Sequence, residues 1–556
     1  MTKEYSMKRI FTLLIITCAL YAQAQTFDWL TTLSCTETSK AQTNFLLVAY
    51  YADSSALVFG NYGSIYATDF GVLGEEQYPG ADYGTGSGYN KNFLLAKLGK
   101  NGDVLWAVHS EDGDVNDSQS AVTPTADGGA VMALKFRHSD RNKQAGVTSL
   151  LYKIVDAAGE SYSRELEYPG EWITQPVLVR VDKDGNVTAV KDMWVSTEQA
   201  AKGDDLTTDA FTFSAAVEDK NGNIYIAGSQ SLDMRIDDVT IAARPQPEWD
   251  GTTTNGRYNG FVIKLDANLT YLDHITSEGS LVYDKPSCVE YRRGKLYFSG
   301  LAKAEEESAS LSLDDKSVEV KELSVVNACL NTDLTVDWLS VTPVVRYNNK
   351  QGIMLYQSLL SHDGNTLYLT GGLQGAIVMN GDTIHSGGEQ NSTLNDGYVF
   401  AYNTADGSLD NAAIFGSTTL NLNHGAVDLG DSLYVYNYQF GNIRQVAYDK
   451  QLKLGSIRSL ATGGGSSTLV YTAAQNGQIL LALRSKGGSN FTVFDQTVNI
   501  PGLWFNTLVA FHVDYNPPSD VADVILPAGC TKTLRDGQIL IIRDNHIYNA
   551  LGAQIK

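Results

Sequence analysis

Cysteine and proline are both scarce in this 556-residue chain, at 5 and 12 residues. After residue 24, Cys35, Cys288, Cys329 and Cys530 are widely scattered with no CxxC pair, so buried free thiols are the expectation, with a Cys288–Cys329 bridge as the alternative. Charged residues make up only 19% and sum to −22, which excludes nucleic acid and anionic membrane as partners, since both need a basic surface. Beyond the first 24 residues no apolar run reaches membrane-spanning length, and no stretch keeps a helical period over three turns. Catalytic signatures are missing as well. There is no HExxH among the eight histidines, no GxSxG, no P-loop and no Cys-His pair at ligand spacing.

What the chain has is glycine (51), tyrosine (30) and a phrase that returns. DKNGNIYIAGS at 219–229 recurs as RGKLYFSGL at 293–301, DGNTLYLTGGL at 363–373 and GDSLYVYNYQFG at 430–441. In step with it runs a second phrase, FLLAKLGKNGDVLW at 93–106, VLVRVDKDGNVTAV at 177–190 and FVIKLDANLTYLDH at 261–274. Alternating apolar residues with Asn-Gly or Asp-Gly turns mark hairpins, and each unit reads as four short strands. Seven copies centre near Val58, Ala130, Ile224, Leu296, Leu367, Leu433 and Ile479. The spacing predicts an all-β, seven-bladed β-propeller of four-stranded antiparallel blades over 25–515. The mature chain opens on Phe27-Asp28-Trp29-Leu30, which looks like a fourth strand, while the last unit stops after Thr507 to Val513. Closure by the N-terminal strand follows.

Residues 1–24 end in a basic pair (Lys8, Arg9), an apolar run and Ala-Gln-Ala, the three parts of a signal peptide. At the other end, 516–529 reads as a linker. Residues 530–556 read as a β-hairpin tail, with Gln538 to Arg543 and His546 to Leu551 around an Asp544-Asn545 turn.

The alternation of D-x-x-G-N-x-Y-φ-x-G with F-V-x-K-L-D resembles the SBBP-type β-propeller repeats of secreted Bacteroidota proteins. Leu534-Arg535-Asp536-Gly537 and Tyr548-Asn549-Ala550-Leu551-Gly552 resemble the C-terminal tails of exported proteins of that group, including those sorted by type IX secretion. The resemblance implies a fold and a compartment: an exported protein, secreted or on the outer-membrane surface of a Gram-negative cell (or periplasmic), with surface attachment through the tail. It carries over no catalytic residue.

Function is expected in the interruptions. Segments 61–92, 136–176, 230–260, 301–325 and 374–397 all fall between the second and third strands of their units, hence on one face of a propeller. Several carry an amphipathic phrase of their own, as Met234-Arg235-Ile236-Asp237, and so are partly scaffold. Their aromatic and arginine residues, Tyr83, Tyr89, Trp172, Trp249, Arg257 and Tyr258, are the candidate ligand contacts. Packing of these side chains onto the scaffold is the competing reading of each. Most aspartates, including Asp182, Asp219, Asp266 and Asp363, sit in turns where they bond their own backbone. Asp112, Asp114 and Asp117 are close enough to hold calcium, the only cofactor the spacing offers, against a reading as solvated acidic turns. The reading is a binding or scaffolding module for an extracellular protein or glycan. The alternative is a carbohydrate-active propeller enzyme, a hydrolase or lyase, with carboxylates converging at the channel mouth.

Overall fold

The computed structural model describes residues 25–35, 42–63, 70–79, 91–115, 120–137, 149–167, 174–195, 211–245, 257–386, 396–416, 421–439, 441–462, 470–486, 491–494, 496–498, 504–513, 530–535, 538–543 and 546–549. The chain divides into two compact units, 1–515 and 516–556. Among the described residues there is no helix, and every ladder pairs antiparallel strands.

Within 1–515 a four-strand meander recurs seven times. Unit three shows it plainly, as Phe211–Glu218, Ile224–Gln230, Asn259–Leu265 and Tyr271–Thr276, paired in that order. All seven copies of the repeated phrase are second strands. The seventh meander is completed from the other end of the chain. Its third strand, Trp504–Val513, pairs with Gln25–Cys35 from Gln25↔Val513 to Leu33↔Asn506. His512 Nδ1 lies 2.7 Å from Asp28 Oδ2 across that pairing.

Two glycine roles explain why the phrase is so uniform. The first strand of units one, three, four, five and six carries a β-bulge at Leu46, Ser214, Ser287, Tyr356 and His424. The bulge drives a carbonyl of the first strand against the closing glycine of the phrase. A Cβ on Gly228, Gly300 or Gly371 would overlap the oxygen of Thr212, Lys285 or Met354. The second role lies in the turn before the fourth strand. Gly102, Gly185 and Gly407 take φ of 82°, 82° and 73°. An added Cβ there would come within 2.6, 2.9 and 2.6 Å of Trp29, Trp106 and Trp338, each from the outer strand of the preceding unit. Trp106 Nε1 donates to Lys183 O at 2.8 Å and Trp338 Nε1 to Thr404 O at 3.0 Å, so these two indoles are pinned under their neighbours' turns.

The core is divided among the gaps between successive meanders. One layer joins units one and two through Phe59, Phe93, Phe136 and Val179, and the next joins two and three through Leu178, Phe211 and Ile226. Another joins seven to one, where Leu480 and Leu508 pack with Leu33, Phe45 and Val58. At about 2 kcal/mol per fully buried aliphatic side chain, these layers are the main stabilising term. First strands also neighbour one another in sequence order, and Val470–Gln475 of unit seven lies beside Gln42–Tyr50 of unit one.

In four units the hairpin inserted between the second and third strands pairs with the outer strand of the unit before it, and in units three and four it pairs with a short separate strand that follows that outer strand. Phe70–Leu73 of unit one pairs with Gln25–Cys35, and Ser149–Val155 of unit two pairs with Val104–Asp112. Ala376–Met379 of unit five pairs with Val336–Val345. Unit three's Met234–Ile236 pairs with Trp194–Val195, a short strand that follows the fourth strand of unit two. A sixth insertion, Phe491–Val493 with Gln496–Val498, was not legible in the sequence and pairs with Leu454–Thr462. These hairpins lengthen outer sheet edges and shield them, which edge strands need. Asp237, Asp314 and Asn380 take positive φ at the hairpin tips, as two-residue turns of this kind demand.

Unit 516–556 holds three antiparallel strands, Cys530–Arg535, Gln538–Arg543 and His546–Asn549. Gln538–Arg543 is the central strand, paired with both of the others. Residues 1–24 and 516–529 lie outside the described residues.

Candidate functional site

Bulges re-aim side chains, and here they converge. Leu46, Ser214, Ser287, Tyr356 and His424 line one chamber together with Ser120 and Tyr471, so every first strand contributes. A second tier holds Leu47, Ala121, Ala215, Cys288, Gln357 and Thr472. The chamber encloses about 250 Å³. Gln357 braces it across three units: its Oε1 accepts from Ala426 N at 2.7 Å and from Thr472 Oγ1 at 2.9 Å.

One wall is small and hydroxylic (Ser120, Ser214, Ser287), the opposite one aromatic (Tyr356, His424, Tyr471). Tyr356 stacks on His424 with centroids 4.2 Å apart and 26° between planes, and Tyr438 meets His424 edge-on at 6.2 Å. Burial pulls the His424 imidazole down to about 3, so it is neutral at physiological pH. Cys288 is a buried thiol pushed up to about 12, by burial first and then by Glu290, and is no nucleophile. Glu290 is the one charged side chain among the described lining residues. It is partly buried and borders the chamber space. Ser358 Oγ donates to its Oε1 at 3.0 Å, and burial raises the carboxyl to about 7.

This set can bind a ligand and exchange a proton at one carboxyl. The pair of carboxylates that glycoside hydrolysis uses is not assembled among the described lining residues. The aspartates of the phrase face elsewhere. Asp182 accepts from Asp184 N and Asn186 N at 2.9 Å each, and Asp219 from Asn221 N and Asn223 N at 2.8 and 2.9 Å. Asp266 and Asp363 make the same turns with Asn268 and Asn365.

Of the residues expected to contact ligand, Tyr83, Tyr89, Trp172 and Trp249 lie outside the described residues. Arg257 and Tyr258 contact side chains of unit four. Arg257 Nη2 pairs with Glu305 Oε2 at 2.6 Å, and Lys285 Nζ sits 4.5 Å over the Tyr258 ring. Asp117 and the side chains of Asp112 and Asp114, the candidate calcium ligands, also lie outside the description. Cys35, Cys288 and Cys329 are buried free thiols.

The chamber residues were missed because their signal is a fault in a pattern. In FTFSAAVE at 211–218 the alternation set by Phe211 and Phe213 breaks at Ser214, where the register shifts.

No family model matches this chain, and no curated protein matches it. Among solved structures, a proposed 6-phosphogluconolactonase from Bacteroides fragilis is similar at 11% identity, covering 87% of this chain and 97% of that one, with a TM-score of 0.34. An acylaminoacyl peptidase gives 8% identity, 90% and 57% coverage and a TM-score of 0.34. An apocarotenoid oxygenase of Synechocystis gives 8%, 79%, 94% and 0.31. Scores this low carry nothing about activity.

Proposed function

We propose that this protein is an exported seven-bladed β-propeller, closed by its N-terminal strand, that binds a ligand without transforming it. The observation that carries the binding reading is the chamber, to which each of the seven first strands contributes a side chain. Its one carboxyl lacks the partner that acid–base hydrolysis would need. Closure is supported by the pairing of Gln25–Cys35 with Trp504–Val513 and by the apolar layer joining unit seven to unit one. The compartment rests on the leader at 1–24, the likeness to SBBP-type repeats and the tail at 530–556, which serves in sorting or surface attachment. The ligand is an extracellular protein or glycan, a group of which seats in the chamber.

A glycan and surface-protein binding array, probed with residues 25–556 and with Ser214→Trp, tests this reading. Binding that the indole abolishes is expected. Release of reducing ends from a polysaccharide panel, or equal binding by both proteins, would refute it.

A further inference from the structure

Resting on the chamber as the binding site, we infer that the group it seats is a small organic cation, an ammonium on an apolar body, held by the Glu290 carboxylate. Glu290 is partly buried at the chamber wall, and loss of water there makes an ionised carboxylate costly unless a counter-charge meets it. Ser358 supplies one hydrogen bond, and no lysine or arginine is among the described residues lining the chamber. A cation restores the balance. An anion would add a second unmet charge, and a neutral ligand would leave the first in place.

The rest of the lining suits the same guest. Leu46, Tyr356 and Tyr471 offer apolar and aromatic surface of the kind that holds ammonium groups. His424 is uncharged and does not repel a cation. The net charge of −22 draws cations toward the molecule. About 250 Å³ corresponds to roughly eight waters, room for one ring and a short chain.

Three isosteric probes separate the charge from the shape: 2-phenylethylammonium, 2-phenylethanol and phenylacetate, titrated by calorimetry into the full chain near pH 8. The ammonium is expected to bind about tenfold or more tighter than the alcohol, with no binding by phenylacetate. Glu290→Gln removes the preference, and Ser214→Trp abolishes binding. Lowering the pH to about 5.5 weakens the ammonium by a similar factor as Glu290 protonates. Cys288, His424, Tyr356 and Tyr471 are the other titratable side chains facing the chamber. Burial keeps Cys288 protonated and His424 neutral across that range, and Tyr356 is raised by burial. The pH series therefore tests the carboxyl in the unmutated protein, whether or not the variants fold. Equal binding of the alcohol, preference for phenylacetate, or a preference that survives Glu290→Gln overturns the cation while leaving the chamber as a site. Silence from all three probes, or binding that survives Ser214→Trp, overturns both.

Discussion

Glu290 makes the stability of the ligand-free protein depend on pH. Burial raises its carboxyl from 4.5 to about 7. At about 1.36 kcal/mol per pH unit, that interval amounts to roughly 3.4 kcal/mol between the protonation states. Water in the chamber screens part of it, leaving about 2 to 3 kcal/mol. The folded value lies above the unfolded one, so the contribution is fully present below about pH 4.5. As pH rises the unfolded chain releases its proton first, and stability falls until both states are ionised above about pH 7. Glu290→Gln keeps the shape and cannot ionise. The difference in unfolding free energy, wild type minus variant, measured by urea titration, is therefore expected to drop by about 2 to 3 kcal/mol between pH 4.5 and 8 and then level. His424, lowered from 6.5 to about 3, and Cys288, raised from 9.0 to about 12, add their own pH dependence, but both are present in wild type and variant and cancel in the difference. A difference that stays flat across the range, or climbs with pH, refutes the reasoning.

Two further outcomes test the scaffold. Gly371→Ala forces a Cβ into Met354 O and is expected to cost about 3 kcal/mol or to block folding, whereas Gly159→Ala, with open space around it but a φ of 82°, costs only about 1 kcal/mol; thermal midpoints decide, and equal effects would sink the close-approach argument. Arg244 Nη2 lies 3.1 Å from buried Asp284, and its Nη1 donates to Tyr258 O and Leu281 O, tying unit three's insertion to unit four. Asp284→Leu alone is expected to cost about 3 to 5 kcal/mol and Arg244→Met with Asp284→Leu clearly less, while additive losses in denaturant titration would refute a coupled pair.

Repetition and alternation carried the scaffold in the sequence. The seven second strands, the completing strand at the N terminus and the aspartate turns could all be read from period-two patterning and from Asp, Asn and Gly at fixed offsets. Such signals are local: a turn residue bonds its own backbone, and a strand shows its buried face every second position. Arg257 and Tyr258 stood out for their type, and their contacts with Glu305 and Lys285 are ones that no local pattern reveals.

The amino-acid sequence by itself determined the all-β class, the number of units and five of their interruptions, because propensity and turn chemistry act over a few neighbouring residues. Only the tertiary structure decided that four of the inserted hairpins pair with the preceding unit's outer strand. It alone brought Glu290, Ser358, His424 and their neighbours into one chamber. A bulge turns a side chain by slipping one strand against another, and burial shifts a carboxyl through everything packed around it. Both effects are sums over residues hundreds of positions apart.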